Sequence, residues 1–199
     1  MTAIWRQPRN GYSLLELVFA VGVATTVAGA TVPPLLRALD YYRTLGAVRY
    51  LSTRLQRARM EAVSRHATMA VRFARDGESY AYAVFADGNG DGVKSADIER
   101  GVDRRTTPDE RLSDHFRGVT FDVLPGVPSV DPATAGPMAD PIRLGAADSV
   151  SFTPLGTATA GSLYVLGGHE HQYAITIFGE TGKTRIMKFN GRKSIWEPR

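Results

Sequence analysis

Glu16 is a carboxylate near the start of an otherwise apolar run, in the stretch RQPRNGYSLLELVFAVGVATTVAGATVPPLL that covers residues 6–36. An ionised side chain inside a segment fit to cross a membrane costs about 2.5–3.5 kcal/mol even on lenient insertion scales, and it normally has a partner. A cut after Gly11 would free an amino group on Tyr12, four residues before Glu16. On a helix that is one turn away, and a neighbouring copy of the helix would also bring such an amine within reach. The liberated amine would supply the missing cation.

Other groups of residues also have the types and spacing for chemistry. In DGNGDGVKSADIER, Asp87, Asn89 and Asp91 occupy positions one, three and five, with Gly92 at six, like the front half of a calcium-binding loop. The back half departs from that pattern, because position twelve is Ile98, with Asp97 and Glu99 out of register. A tight turn built on Asn-Gly and Asp-Gly is the other reading. His169 and His171 flank Glu170 and could point two imidazoles the same way on a strand, as a metal pair requires. They follow Gly167 and Gly168 and have no third ligand nearby in sequence, so a turn is the stronger reading. His66 and His115 are isolated. Lys183, Arg185, Lys188, Arg192 and Lys193 form a basic cluster with Tyr173, Phe189 and Trp196 close in sequence. Such a set binds phosphates by charge and stacks bases on aromatics, or else it is an ordinary solvated turn. There is no cysteine, no G-x-S-x-G elbow and no phosphate-binding loop, so nothing points to an enzyme.

The elements that must position these residues begin with the apolar run. Leu17 to Leu36 carry no formal charge, and twenty helical residues span roughly 30 Å, the hydrocarbon thickness of a bilayer. Arg6 and Arg9 precede the run with no acid between them, which places the leader in the cytoplasm and the body outside. A cleavable signal peptide ending at Ala28-Gly29-Ala30, releasing a soluble β-protein, is the alternative. Glu16 and the continuation of the helical pattern past Ala30 oppose it. Ala20, Gly22, Ala24, Ala28, Gly29 and Ala30 are small enough for helices to approach closely in lipid. Pro33 and Pro34 should kink or loosen the helix around Gly29 and Ala30.

Beyond the prolines, Leu45, Val48, Leu51, Leu55, Ala58 and Ala62 recur at three and four, predicting an amphipathic continuation to about His66. The opposite face carries Arg37, Arg43, Arg49, Arg54, Arg57, Arg59 and Arg65 against Asp40 and Glu61. It reads as a solvated face or as a surface for acidic partners. Glu61 lies four residues from both Arg57 and Arg65, pairs worth about 0.2–0.5 kcal/mol each.

The chain has 199 residues, 43% of them hydrophobic, enough for one modest core plus an accessory segment. The net charge of +4 falls to +2 without Arg6 and Arg9, and so selects no partner. Strands are predicted over 68–73, 80–86, 119–123, 149–153, 162–166, 173–178 and 184–190, which implies antiparallel sheets. Residues 125–141 contain five prolines and are predicted to form an exposed loop.

A basic leader ending in glycine, an aromatic, SLLEL with its glutamate fifth after the glycine, and an apolar helix with a distal proline resemble a type IV prepilin or pseudopilin. LQRARMEAVSRHATMAVRF at 55–73, VSFTPLGTA at 150–158 and GETGKTRIMKFNG at 179–191 resemble its GspH/FimT subgroup. The resemblance implies an α+β, pilin-like fold: leader 1–11, transmembrane helix 12–36, amphipathic continuation 37–66 and a periplasmic β-rich domain 67–199. It implies that a prepilin peptidase cuts after Gly11 and methylates Tyr12, and that Glu16 meets the amine of an adjacent subunit during assembly. Tyr12 replaces the commoner phenylalanine. The implied partners are other pilins or pseudopilins and the inner membrane. The implied work is either in a type II secretion pseudopilus that exports proteins or in a type IV pilus, as a FimT-like minor subunit acting in assembly or DNA uptake. For the latter, Gly182-Lys183-Thr184-Arg185 resembles a DNA-contacting glycine-arginine-x-arginine loop, with Lys183 in place of the first arginine. An acidic-glycine loop like 87–92 also occurs in FimT-like sequences, leaving calcium open.

Overall fold

The computed structural model describes residues 11–77, 79–131, 140–168 and 170–199. Arg6 and Arg9, His169 and residues 132–139 of the proline-rich segment therefore lie outside the described residues. The chain divides into two units, the first ending at Leu39 and the second running from Asp40 to Arg199.

Within the first unit, α1 (Leu14–Arg65) begins at Leu14, two residues later than the predicted start at Tyr12. Every residue from 11 to 39 is exposed, including Phe19 at 72%. An apolar helix left bare in this way requires lipid or protein around it. An 18-residue stretch of it is long and apolar enough to cross a membrane, and none of that stretch is buried. Its threonine hydroxyls are satisfied internally. The hydroxyls of Thr25, Thr26 and Thr31 donate to the carbonyls of Val21, Gly22 and Val27, at 2.8, 2.9 and 2.7 Å. The helix continues through Pro33 and Pro34 without a break in its assignment. Since proline has no N–H, the carbonyls of Gly29 and Ala30 are the ones deprived of a donor.

In the second unit, α1 buries Thr44, Ala47, Val48, Leu51, Leu55, Ala58 and Ala62, one stripe at helical spacing, while Leu45 is only partly buried. Leu51 and Leu55 are fully buried, each worth about 1.5–3 kcal/mol of transfer free energy. The helix ends at Arg65, because His66 takes a positive φ of 53° and the Ala67 N–H turns back to the Ala62 carbonyl at 3.3 Å.

After the helix come β1 (Met69–Asp76), β2 (Ser79–Ala86), α2 (Ser95–Glu99), β3 (Arg104–Arg105), β4 (Glu110–Arg111), α3 (Leu112–His115), β5 (Val119–Thr120) and β6 (Ile142–Leu144). They are followed by β7 (Ser149–Phe152), β8 (Gly161–Gly167), β9 (His171–Ile177), β10 (Thr184–Asn190) and β11 (Ile195–Pro198). One antiparallel sheet runs β3-β2-β1-β7, with β4 also on β2. A second runs β11-β10-β9-β8-β5, with β6 also on β8. Met69, Val71, Phe73 and Val84 of the first sheet and Leu163, Val165, Ile175 and Ile177 of the second close one core with the buried stripe of α1. The fold is thus the α+β, pilin-like arrangement of a long helix packed on antiparallel sheets.

Of the segment 125–141 expected to be an exposed loop, Pro125, Gly126, Pro128, Asp131 and Asp140 are exposed, while Val127 and Pro141 are buried and part of the segment covers the far face of β8. Val127 is 3% exposed, and the Val130 N–H donates to the Tyr164 hydroxyl at 3.0 Å. The amide of buried Gln172 accepts from Leu124 N–H at 2.8 Å, and the Trp196 indole donates to the Pro128 carbonyl at 3.0 Å.

Candidate functional site

At the amino-terminal site, Gly11, Tyr12 and Ser13 precede the first helical residue, and Tyr12 is 86% exposed. The Ser13 carbonyl accepts the Leu17 N–H at 3.1 Å, which makes Ser13 the residue that opens α1 and puts Glu16 in its first turn. Tyr12 and Glu16 are therefore not separated by a helical turn here, as sequence spacing predicts, because Tyr12 stands outside the helix. Ser13-Leu14-Leu15-Glu16 has the S-x-x-E spacing of a capping box, and a carboxylate in a first turn faces the positive end of the helix dipole.

The acidic loop is held by its own backbone. Asp87 accepts the N–H groups of Gly90 and Gly92, both at 2.8 Å, and of Asn89 at 3.1 Å. Asn89 accepts from Asp91 N–H at 3.3 Å, and the Asp91 carboxylate pairs with Lys94 at 2.6 Å. Asp103, 2% exposed, closes the loop by accepting from Gly88 N–H at 3.0 Å and Lys94 N–H at 2.8 Å. Burial pushes the Asp87 carboxyl up, but the converging N–H groups of Gly92, Gly90, Asn89 and Asp91 outweigh it and hold the group below the usual carboxylate range. Gly90 and Gly92 have φ of 84° and 89°, which the turn needs. Among the described residues, no group of three His, Cys, Asp or Glu side chains is arranged to hold a metal ion, and both carboxylate oxygens of Asp87 are already engaged by backbone N–H groups.

His171 opens β9 and stacks edge-to-face on Tyr41 at 5.7 Å. Its companion His169 lies outside the described residues. His115 is 3.9 Å from Glu110 rather than isolated.

Much of the arginine face of α1 is occupied within the fold. Arg59 donates to the Gly156 carbonyl at 2.9 Å, Arg57 and Arg65 both pair with Glu61, and Arg43 pairs with Asp40. Arg54 is the exception to a solvated face altogether. It forms an ion pair with Glu110, whose side chain is only 11% exposed, and its Nε donates to the Tyr50 hydroxyl at 3.1 Å. Tyr50 and Tyr82 donate to the other Glu110 oxygen at 2.8 and 3.2 Å. Burial, then the Glu110 charge, pushes the Tyr82 phenol far above its ordinary value, and Tyr50 moves the same way. No sequence signal ties Arg54 to an acid so far along the chain.

Lys183 and Arg185 lie close together. They line a cleft of about 450 Å³ with Ser52, Phe178, Thr181, Thr184, Ile186 and Arg199. Gly182, at φ 59°, makes the turn that precedes them, and the Arg185 guanidinium lies over the Phe178 ring at 5.1 Å. Lys188 is not part of this cleft: its ammonium sits over Tyr41 at 4.9 Å, on the helix side of the sheet. Arg199, which sequence proximity does not flag, completes the cationic lining.

The sequence model of the family described as "Type II transport protein GspH" matches residues 47–181. No curated protein matches the chain. Among solved structures, the minor pseudopilin EpsH from the type II secretion system of Vibrio cholerae aligns at 14% identity and a TM-score of 0.46, over 73% of this chain and 97% of that one. A second crystal structure of the same pseudopilin aligns at 14% identity and a TM-score of 0.45, over 74% of this chain and 94% of that one.

Proposed function

Because the chain belongs to the GspH family of type II transport proteins, whose members are structural subunits and not enzymes, we propose that it is a minor pseudopilin of a type II secretion pseudopilus. In this reading it is anchored once in the inner membrane by α1, its body lies in the periplasm, and it acts in protein export. The observation that carries the reading is the pairing of the family match over 47–181 with a bare apolar helix whose first turn holds Glu16.

The chemistry follows from that pairing. A prepilin peptidase cuts after Gly11 and methylates the new amine of Tyr12, releasing the arginine-bearing leader. The amine and the Glu16 carboxylate then neutralise each other between adjacent helices, where an unpaired charge in low dielectric would cost several kcal/mol. Ala20, Gly22, Ala24, Ala28, Gly29 and Ala30 let those helices approach. Pro33 and Pro34 leave two carbonyls free for local rearrangement as subunits leave the bilayer.

Deletion of the chain from its native host tests the assignment. The reading expects loss of export of a secreted folded protein, with pilus-dependent motility and DNA uptake intact. Loss of pilus function or DNA uptake with export unchanged would reassign it to the FimT-like minor pilins.

A further inference from the structure

The carboxyl-terminal sheet has an edge that its own strands leave half covered. In the β9–β10 ladder, Thr184 lies opposite Ile177 and Arg185 opposite Thr176, and the Phe178 N–H donates to the Lys183 carbonyl at 2.9 Å. Backbone groups alternate along a strand, so Lys183, Arg185 and Met187 direct theirs toward β9, while Thr184, Ile186 and Lys188 direct theirs to the opposite side. On that side β11 pairs only with Met187–Asn190, and Arg199 N–H reaches the Ile186 carbonyl at 3.0 Å. Among the described residues nothing pairs with the backbone N–H or C=O of Thr184. Its side chain is fixed from the helix side, by Ser52 at 2.8 Å and Gln56 at 3.3 Å, which makes this part of the edge rigid.

Lys183, Arg185 and Arg199 surround this edge in the cleft described above, and the acid of the preceding turn, Glu180, does not line it. We propose that the β10 edge at Thr184 receives an extended, acidic segment of another protein, which adds as a strand beside Thr184 and pairs its carboxylates with Lys183, Arg185 and Arg199. Strand addition uses main-chain hydrogen bonds for affinity and side chains for selection. A polypeptide offers the alternating N–H and C=O groups that Thr184 requires, whereas a nucleic acid offers phosphates and no such ladder. Opposite charges across neighbouring strands contribute about 0.2–1 kcal/mol per pair. Cations at a sheet edge can also act as guards against any strand, and the test separates that role from selective capture. The proposal stands on the sheet edge alone, so its failure leaves the family reading untouched.

The test uses the full-length chain in detergent micelles and a fluorescent eight-residue peptide of alternating glutamate and valine, read by anisotropy. The expected result is saturable binding that weakens about tenfold with Lys183→Ala/Arg185→Ala, and at least as much when alternate peptide nitrogens are methylated against the unaltered protein. The methylated peptide needs no protein variant, so misfolding cannot explain its loss. The proposal is overturned if no peptide binds, if an alternating lysine and valine peptide binds equally, or if methylation has no effect. It is likewise overturned if a twelve-nucleotide single strand binds more tightly than the peptide, or if the chain self-associates through this edge in a way the double variant abolishes.

Discussion

The Glu110 carboxylate pairs with Arg54 across 56 residues of sequence, beneath α1 and with only 11% of its side chain exposed. The same carboxylate holds Tyr50 and Tyr82, so one acid ties the helix to β2 and β4. It places a charge-assisted contact where periodicity shows only an arginine-rich face.

Glu110→Ala should lower stability by about 2–4 kcal/mol, because it strands a partly buried guanidinium and two phenol donors. Glu110→Gln should cost less, since it keeps an acceptor. Thermal melts of the full-length protein in detergent check the order, and equal losses would show that volume rather than charge matters.

Alkaline conditions should loosen the same contact. A phenol whose pKa is raised by folding contributes stability that is complete below its unfolded value of about 10 and is lost as pH rises beyond it. Tyr82 is shifted so far that its loss continues upward throughout the accessible range, at about 1.4 kcal/mol per pH unit at most. Tyr82→Phe should therefore flatten the stability profile above pH 10 and leave it unchanged near neutrality in slope. An unaltered slope would mean that Tyr82 ionises as readily folded as unfolded.

The acidic loop should respond to acid and be indifferent to calcium. The Asp87 carboxyl lies below its unfolded value, so its contribution is present above about pH 4 and disappears as pH falls through the folded value. Asp87→Ala should cost about 1–2 kcal/mol near neutrality and less in acid. Millimolar calcium or a chelator should leave the melting temperature within about 1 °C. A stabilisation that grows with calcium and is lost in Asp87→Ala would instead mark the loop as a metal site.

Gly167 fixes where the helix meets β8. A Cβ there would lie 1.9 Å from Thr44 Oγ1 and 2.8 Å from both Thr44 Cβ and Cγ2. Gly167→Ala should destabilise by about 2–4 kcal/mol, and Thr44→Gly should recover part of the loss in the double variant. Additive losses would mean the two residues do not share that space.

Long periodic elements were legible in the sequence, and short or distant ones were not. Val48, Leu51, Leu55, Ala58 and Ala62 are all buried, at the spacing that predicts them, because one face of a helix repeats its signal over several turns. The main strands appear near their predicted places, and β10 at Thr184–Asn190 coincides with its predicted bounds. Arg104–Arg105 and Glu110–Arg111 are too short for any alternation to show, and Ile195–Pro198 pairs only through β10 despite a terminal proline. At the amino-terminal site, the type and spacing of Gly11, Tyr12 and Glu16 single them out, yet spacing alone does not show that α1 begins at Leu14 and leaves Tyr12 outside the helix. Arg199 joins Lys183 and Arg185 only through the β10–β11 pairing, a tertiary fact that proximity in sequence cannot carry.

The central claim is that Glu16 awaits an amine made by proteolysis directly behind Gly11. Intact-mass and amino-terminal sequencing of the chain recovered from its native membrane measure this. The expected mature terminus is Tyr12 bearing an N-methyl group; a terminus at Thr31, or a chain that retains Arg6 and Arg9, would contradict the account.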